Sequence, residues 1–230
     1  MPDETLPTRF GLIRHAPTLW NRDKRIQGRQ DSDLTAEGKA RSKGWGVTLA
    51  VHPWHRILSS DLGRALKTAE LVNRSLKVPL TQTPLLREMD WGDWTGRSIR
   101  QITRENPGLL SEMEQAGWEF KPPGGEDRNS VWTRTRRALM AAAGAWDQEN
   151  ILVVTHEGVI KCTIYRLLQR RFLPDERPIL KPDYLHRLVH DGSGLKIEKI
   201  NAMRLESGKQ HAGDRRQKSA KFQKQTIPVS

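Results

Sequence analysis

Short apolar runs alternate with longer amphipathic stretches through most of the chain. Residues 10–13, 56–59, 78–83 and 151–155 read as strands, the last the clearest, because aliphatic and β-branched residues follow one another there without a polar face. Helical spacing appears between them. Thr35 is placed to cap a helix through residues 37–49. Leu62, Ala65, Leu66, Ala69, Val72 and Leu76 recur at the period of a second helix, with Ser60 or Asp61 as its cap. Two more helices are predicted over about 127–146 and 159–168. Residues 184–190 and 195–200, joined by Asp191-Gly192-Ser193-Gly194, give a hairpin signal. Strands alternating with helices predict an α/β fold: a three-layer α/β/α sandwich with a mostly parallel central sheet and the hairpin supplying an antiparallel edge strand. Residues 84–125, broken by Pro107, Gly117 and the Pro122-Pro123-Gly124-Gly125 run, predict a small helical and loop cap over the sheet. The pattern predicts one domain over 1–204 and a tail over 205–230.

The tail changes the reading of charge. The chain of 230 residues carries 39 basic and 27 acidic residues, a net +12. Lys209, Arg215, Arg216, Lys218, Lys221 and Lys224 stand against Glu206 and Asp214 after Leu205, with almost no periodic apolar residues, so a flexible basic terminus is expected there. The body keeps +8, and a positive field of that kind draws in small anions. Phosphate esters become plausible ligands, nucleic acid less so. No apolar run approaches the ~20 residues that cross a bilayer, and the acidic start Met1-Pro2-Asp3-Glu4 predicts an untargeted chain. The single cysteine, Cys162, excludes an internal disulfide and fits a reducing, cytoplasmic compartment; its position predicts a buried, inert thiol. Nothing selects between monomer and homodimer.

Ligands of parallel sheets bind beyond the carboxyl ends of the strands, and three strand ends carry related chemistry. The first ends in Arg14-His15. Ser59-Ser60-Asp61 leads into a helix with Arg64 in its first turn, where a cation opposes the helix dipole unless an anion is bound. The third strand ends in Thr155-His156-Glu157-Gly158. Two arginines and two histidines so placed describe a pocket for a dianionic phosphoryl group.

These residues sit in longer blocks. Arg14-His15-Ala16-Pro17-Thr18-Leu19-Trp20-Asn21 and Gln27-Gly28-Arg29-Gln30-Asp31-Ser32-Asp33-Leu34-Thr35-Ala36-Glu37-Gly38 resemble the signature of the histidine phosphatase superfamily, which includes the cofactor-dependent phosphoglycerate mutases. Ser59 to Ala65, Leu86 to Gly96, the Pro-Gly-Gly-Glu at 123–126 and Val154 to Gly158 match further blocks in the family's order. The chain departs from the pattern at Ala16, where the family has Gly, and at Pro17, where it often has Glu.

The resemblance implies His15 as nucleophile. It implies that Arg14, Arg64 and His156 hold the non-bridging oxygens, and that Glu88 serves as general acid and then general base. Asn21, Gln27, Gly28, Glu157 and Gly158 complete the expected substrate-binding set, with no metal and no cofactor. The charges of Arg14 and Arg64 are expected to keep His15 neutral. The short interval between Glu88 and His156 resembles the family's phosphatases more than its mutases. The expectation is therefore a phosphomonoester hydrolase acting on a small phosphorylated metabolite of the sugar phosphate, phosphoglycerate or α-ribazole phosphate type. A mutase is the alternative, and a phospho-ligand or nucleic-acid binding module a weaker one. A metal hydrolase is disfavoured because no ligand spacing accompanies the histidines. Trp20, Trp91, Trp94 and Trp118 are candidates either for lining the pocket or for packing. His52, His55, His186 and His190 read as structural or exposed.

Overall fold

The computed structural model describes residues 6–206. Its elements follow the order β1 (Thr8–Arg14), α1 (Leu19–Arg22), α2 (Ala36–Leu49), β2 (Arg56–Ser60), α3 (Gly63–Leu76), β3 (Leu80–Thr83), α4 (Ile99–Glu105), α5 (Leu109–Gln115), α6 (Arg128–Ala145), β4 (Asn150–Thr155), α7 (Glu157–Leu167), β5 (Tyr184–His190) and β6 (Leu195–Arg204). The six strands form one sheet in the order β3-β2-β4-β1-β5-β6. The first four are parallel, and β5 and β6 add an antiparallel hairpin along the edge next to β1.

β4 is central and buried on both sides, as its unbroken apolar sequence requires. Leu152 and Val154 point toward α2 and α3, packing with Trp45, Leu49, Ala69 and Val72. Ile151 and Val153 point the other way, onto Leu139, Ala142, Ile160 and Ile164 of α6 and α7. Complete burial of such a side chain contributes about 2 kcal/mol. Two helical layers thus fix the sheet from both faces, and the parallel strands deliver their last residues to one common edge.

The segment 84–125 holds 3₁₀ turns at Pro84–Leu86, Gly92–Trp94 and Gly117–Glu119 besides α4 and α5. Its apolar residues do not make a core of their own. Met89, Trp94, Ile102 and Phe120 pack with Val131 of α6 and with Val159, Cys162 and Tyr165 of α7. Trp94 lies against Phe120, and Trp118 meets Phe172 edge to face while its indole N–H donates to the Arg170 carbonyl at 2.7 Å. Both indoles are packing groups, and Cys162 is buried with its thiol pushed up to about 12 by desolvation.

Two expectations shift. The cap of α3 is neither Ser60 nor Asp61, as developed below. Leu205, expected in the tail, is buried and donates its N–H to the Asp183 carbonyl at 2.7 Å. The basic residues beyond it, 207–230, lie outside the described residues.

Candidate functional site

β1 ends at Arg14, and the chain stays tied to β4 through the His15 N–H, which donates to the Thr155 carbonyl at 2.9 Å. His15 is therefore held at the carboxyl edge of the sheet by the backbone of β4. Its Nδ1 lies 2.8 Å from the Ala16 carbonyl, which can only accept, so Nδ1 carries the proton and Nε2 the lone pair. Arg64 Nε donates toward that lone pair at 3.3 Å. The ring is buried, and its pKa is held well below the usual 6.5 by desolvation first, then by Arg14 and Arg64. The charges act in the expected direction, but burial is the larger cause.

Arg64 is almost fully buried on the first turn of α3 and is anchored by three acceptors. Nη2 donates to the Gly28 carbonyl at 2.7 Å, and Nη1 to the Gln30 carbonyl at 2.7 Å and to Asp31 Oδ1 at 2.9 Å. Asp31 also accepts the Gly63 N–H at 2.6 Å and the Arg64 N–H at 3.3 Å. It thus caps α3 from a distant loop and supplies the anion that a cation on that first turn requires. The expected cap residues serve elsewhere. Asp61 holds Arg87 through two bonds, at 2.8 and 2.6 Å, and Ser60 Oγ lies 2.9 Å from His156 Nε2.

His156 is fully buried beside His15, with ring centroids 5.2 Å apart. Desolvation, followed by His15 and Arg64, holds its pKa well below 6.5. Its Nδ1 is buried without a protein partner, as are Arg14 Nε and Gln27 Oε1. Of these, His156 Nδ1 and Arg14 Nε are groups that can donate to an anion. An oxyanion at Nδ1 needs the proton there, which Ser60 permits by donating its hydroxyl to Nε2.

Glu88 approaches from the other side. Its Oε1 accepts the Met89 N–H at 2.8 Å, and its Oε2 accepts the Gly158 N–H at 3.3 Å on the first turn of α7. A Cβ at Gly158 would fall against Oε1, so glycine is the residue that lets the carboxyl sit there. Desolvation raises the Glu88 pKa above 4.5, opposed by those N–H groups and by Arg64. Gly28 has φ +52, and a Cβ there would meet Thr95 Oγ1 at 3.0 Å, so its backbone turns toward Arg64 only as glycine.

The other expected residues divide. Asn21 Oδ1 accepts the N–H and hydroxyl of Thr18, both at 3.1 Å, which closes α1 and leaves the Asn21 amide N–H groups for a ligand. Arg14 turns outward to Glu157, 2.5 Å away, and Glu157 is exposed, engaged in that pair.

Sequence reasoning missed two groups outright: Asp31, and Arg134 of α6. Arg134 donates to the Leu85 carbonyl at 2.9 Å and the Glu88 carbonyl at 3.2 Å, and grips Glu126 of the Pro-Gly-Gly-Glu run through Nε at 2.8 Å and Nη2 at 3.0 Å. The run therefore ties the acid's loop to α6.

A lone-pair imidazole nitrogen facing a guanidinium, a second buried imidazole and a desolvated carboxyl thus stand together on an α/β sandwich. The chain belongs to the histidine phosphatase superfamily: the description "Histidine phosphatase superfamily (branch 1)" matches residues 10–203. It is 32% identical over 157 residues to the probable phosphoglycerate mutase GpmB of Salmonella choleraesuis, covering 68% of this chain and 73% of that one. Among solved structures it is similar to Bacillus stearothermophilus YhfR, with TM-score 0.78 and 29% identity over 87% of this chain and 98% of that one. A mycobacterial glucosyl-3-phosphoglycerate phosphatase gives TM-score 0.74 and 25% identity over 86% and 99%. The α-ribazole phosphatase of Shigella flexneri gives 0.72 and 26% over 86% and 98%. Relatives of both phosphatase and mutase type thus share this fold. Among the described residues no helix is long and apolar enough to cross a membrane.

Proposed function

We propose that the protein is a phosphomonoester hydrolase working through a phosphohistidine on His15, with a small phosphorylated metabolite as substrate. The observation that carries this reading is the geometry at His15: Nδ1 lies 2.8 Å from the Ala16 carbonyl, which directs its proton there and turns the Nε2 lone pair toward Arg64. Nε2 attacks phosphorus, the bond from phosphorus to the ester oxygen breaks, and Glu88 gives its proton to the departing alkoxide. Arg64, His156 Nδ1–H and the amide groups of Asn21 and Gln27 hold the non-bridging oxygens, and Arg14 joins them by exchanging Glu157 for the phosphoryl group. Water then attacks the phosphoryl group, Glu88 takes its proton, the P–N bond breaks and phosphate leaves. No step needs a metal. Under this reading the segment 84–125 is a cap that excludes bulk water without sealing the site.

The name of the Salmonella relative supports a second reading, phosphoryl transfer between hydroxyls of one substrate. Feeding 3-phosphoglycerate and measuring free phosphate and isomer side by side separates the two. The hydrolase reading expects stoichiometric phosphate with no isomer, in the presence of a chelator; isomer with total ester conserved, or a strict metal requirement, contradicts it.

A further inference from the structure

Arg134 stands on α6, and its guanidinium reaches the loop that carries Glu88. Nε and Nη2 donate to the two oxygens of Glu126 at 2.8 and 3.0 Å, Nη2 also donates to the Glu88 carbonyl at 3.2 Å, and Nη1 donates to the Leu85 carbonyl at 2.9 Å. A guanidinium has five N–H groups, and these four bonds leave it little to offer a phosphoryl oxygen. The grip on Glu126 is bidentate and charge-assisted, the kind of hydrogen bonding that orients as well as attracts. Both side chains are largely withdrawn from water, 13% and 11% exposed.

Glu126 is itself fixed. Its N–H donates to the Asp90 carbonyl at 2.9 Å, its Oε2 accepts the Asp90 N–H at 3.3 Å, and Arg29 stands 3.6 Å from that same oxygen. Arg134 therefore has a rigid partner on one side and the acid's backbone on the other. The Glu88 carboxyl hangs from that backbone and accepts the Met89 and Gly158 N–H groups. Thr155 holds the Leu86 carbonyl at 2.9 Å from β4, but among the described residues it is Arg134 that bonds the carbonyl of Glu88 itself. Where the carboxyl meets the ester oxygen depends on that bond, and a misplacement of about 1 Å can cost a reaction about 10²-fold in rate.

We propose that Arg134 is a positioning residue: paired with Glu126, it sets the Glu88 backbone so that the carboxyl meets the departing ester oxygen, and it takes no part in holding the phosphoryl group. This role rests on the hydrolase reading above, in which Glu88 protonates the alkoxide.

The ratio of kcat/KM for nitrophenyl phosphate to kcat/KM for glycerol 3-phosphate reads the role. A nitrophenolate leaves without a proton, and kcat/KM counts only the steps up to that departure. In the full-length protein Arg134→Met should raise the ratio by about tenfold or more, the aryl ester keeping most of its rate. Loss of a merely structural support would lower both rates together, and an unmoved ratio overturns the proposal. Arg134→Lys keeps the charge without the planar fork and should raise the ratio as methionine does; a wild-type ratio with lysine would assign the effect to charge and overturn the positioning role. Glu126→Gln keeps the shape of the pair and decides the matter should Arg134→Met fold poorly: the ratio should rise, and an unmoved one counts against Arg134. Glu88→Gln, measured alongside, should raise the same ratio. A ratio moved by Glu88→Gln and unmoved by Arg134→Met removes Arg134 alone and leaves the acid in place. Failure of the hydrolase reading shows in the wild type instead, as no phosphate released from either ester.

Discussion

Glu88 and His15 have their ionisation shifted in opposite senses, and that opposition sets the pH behaviour. His15 must be neutral to attack, and its lowered pKa places the acid limb of kcat/KM well below 6.5. Glu88 must be protonated to release the alkoxide, and its raised pKa places the alkaline limb above the ordinary carboxylate range. Glu88→Gln should remove the alkaline limb and lower kcat about 10²- to 10⁴-fold for alkyl esters, with a much smaller loss for a nitrophenyl ester whose leaving group needs no proton. An equal loss on both esters would take Glu88 out of the acid role. His15, Arg64, Glu88 and His156 were legible in the sequence because strand ends and family blocks mark them. Asp31 was not: its bonds to the first turn of α3 are made only when a distant loop folds back onto it.

The two helices behind the site differ in what holds their first turns, and each yields a test. α3 is capped by Asp31 and α7 receives Glu88, so both N-termini bind carboxylates of the protein itself. Asp31→Ala should cost about 1 kcal/mol of stability for the lost cap and lower kcat/KM further, because Arg64 loses one of its anchors. Gly158→Ala separates helix stability from chemistry. Alanine is the better helix former by about 1 kcal/mol, yet its methyl would displace the Glu88 carboxyl. The variant should hold or gain in Tm while losing turnover on alkyl esters; unchanged turnover would show that the carboxyl does not need that seat. The elements were readable from local periodicity, and α6 begins where it was expected, with Asp127 as its cap. The cap of α3 was hidden because its donor is far along the chain, and no local pattern records a contact made by folding.

Across the whole molecule, three histidines among the described residues are buried with their pKa lowered, His15, His156 and His186. All three have folded pKa values below the unfolded value of about 6.5. The unfolded chain therefore binds more protons below that pH, and stability is lost on acidification. For His186 the window closes near its folded value of about 4. Glu88 acts oppositely over its own range, since its raised pKa favours proton uptake by the folded state. Denaturant titrations between pH 7 and 5 should show this decline, with a shallower slope in His186→Phe; a flat profile would mean the imidazoles are not desolvated. The layered architecture followed from alternating strands and helices, but the placement of β4 between β1 and β2 did not, because strand order depends on which helix covers which face.

The proposed hydrolysis rests on a covalent bond between phosphorus and His15 Nε2. Rapid quenching of enzyme turning over a ³²P-labelled ester, followed by acid and base treatment and peptide mapping, tests it most directly. The label should be acid-labile and base-stable, map to the peptide containing His15, and vanish in His15→Ala together with turnover. Full turnover with no label on the wild type, or an acid-stable label elsewhere, would contradict it.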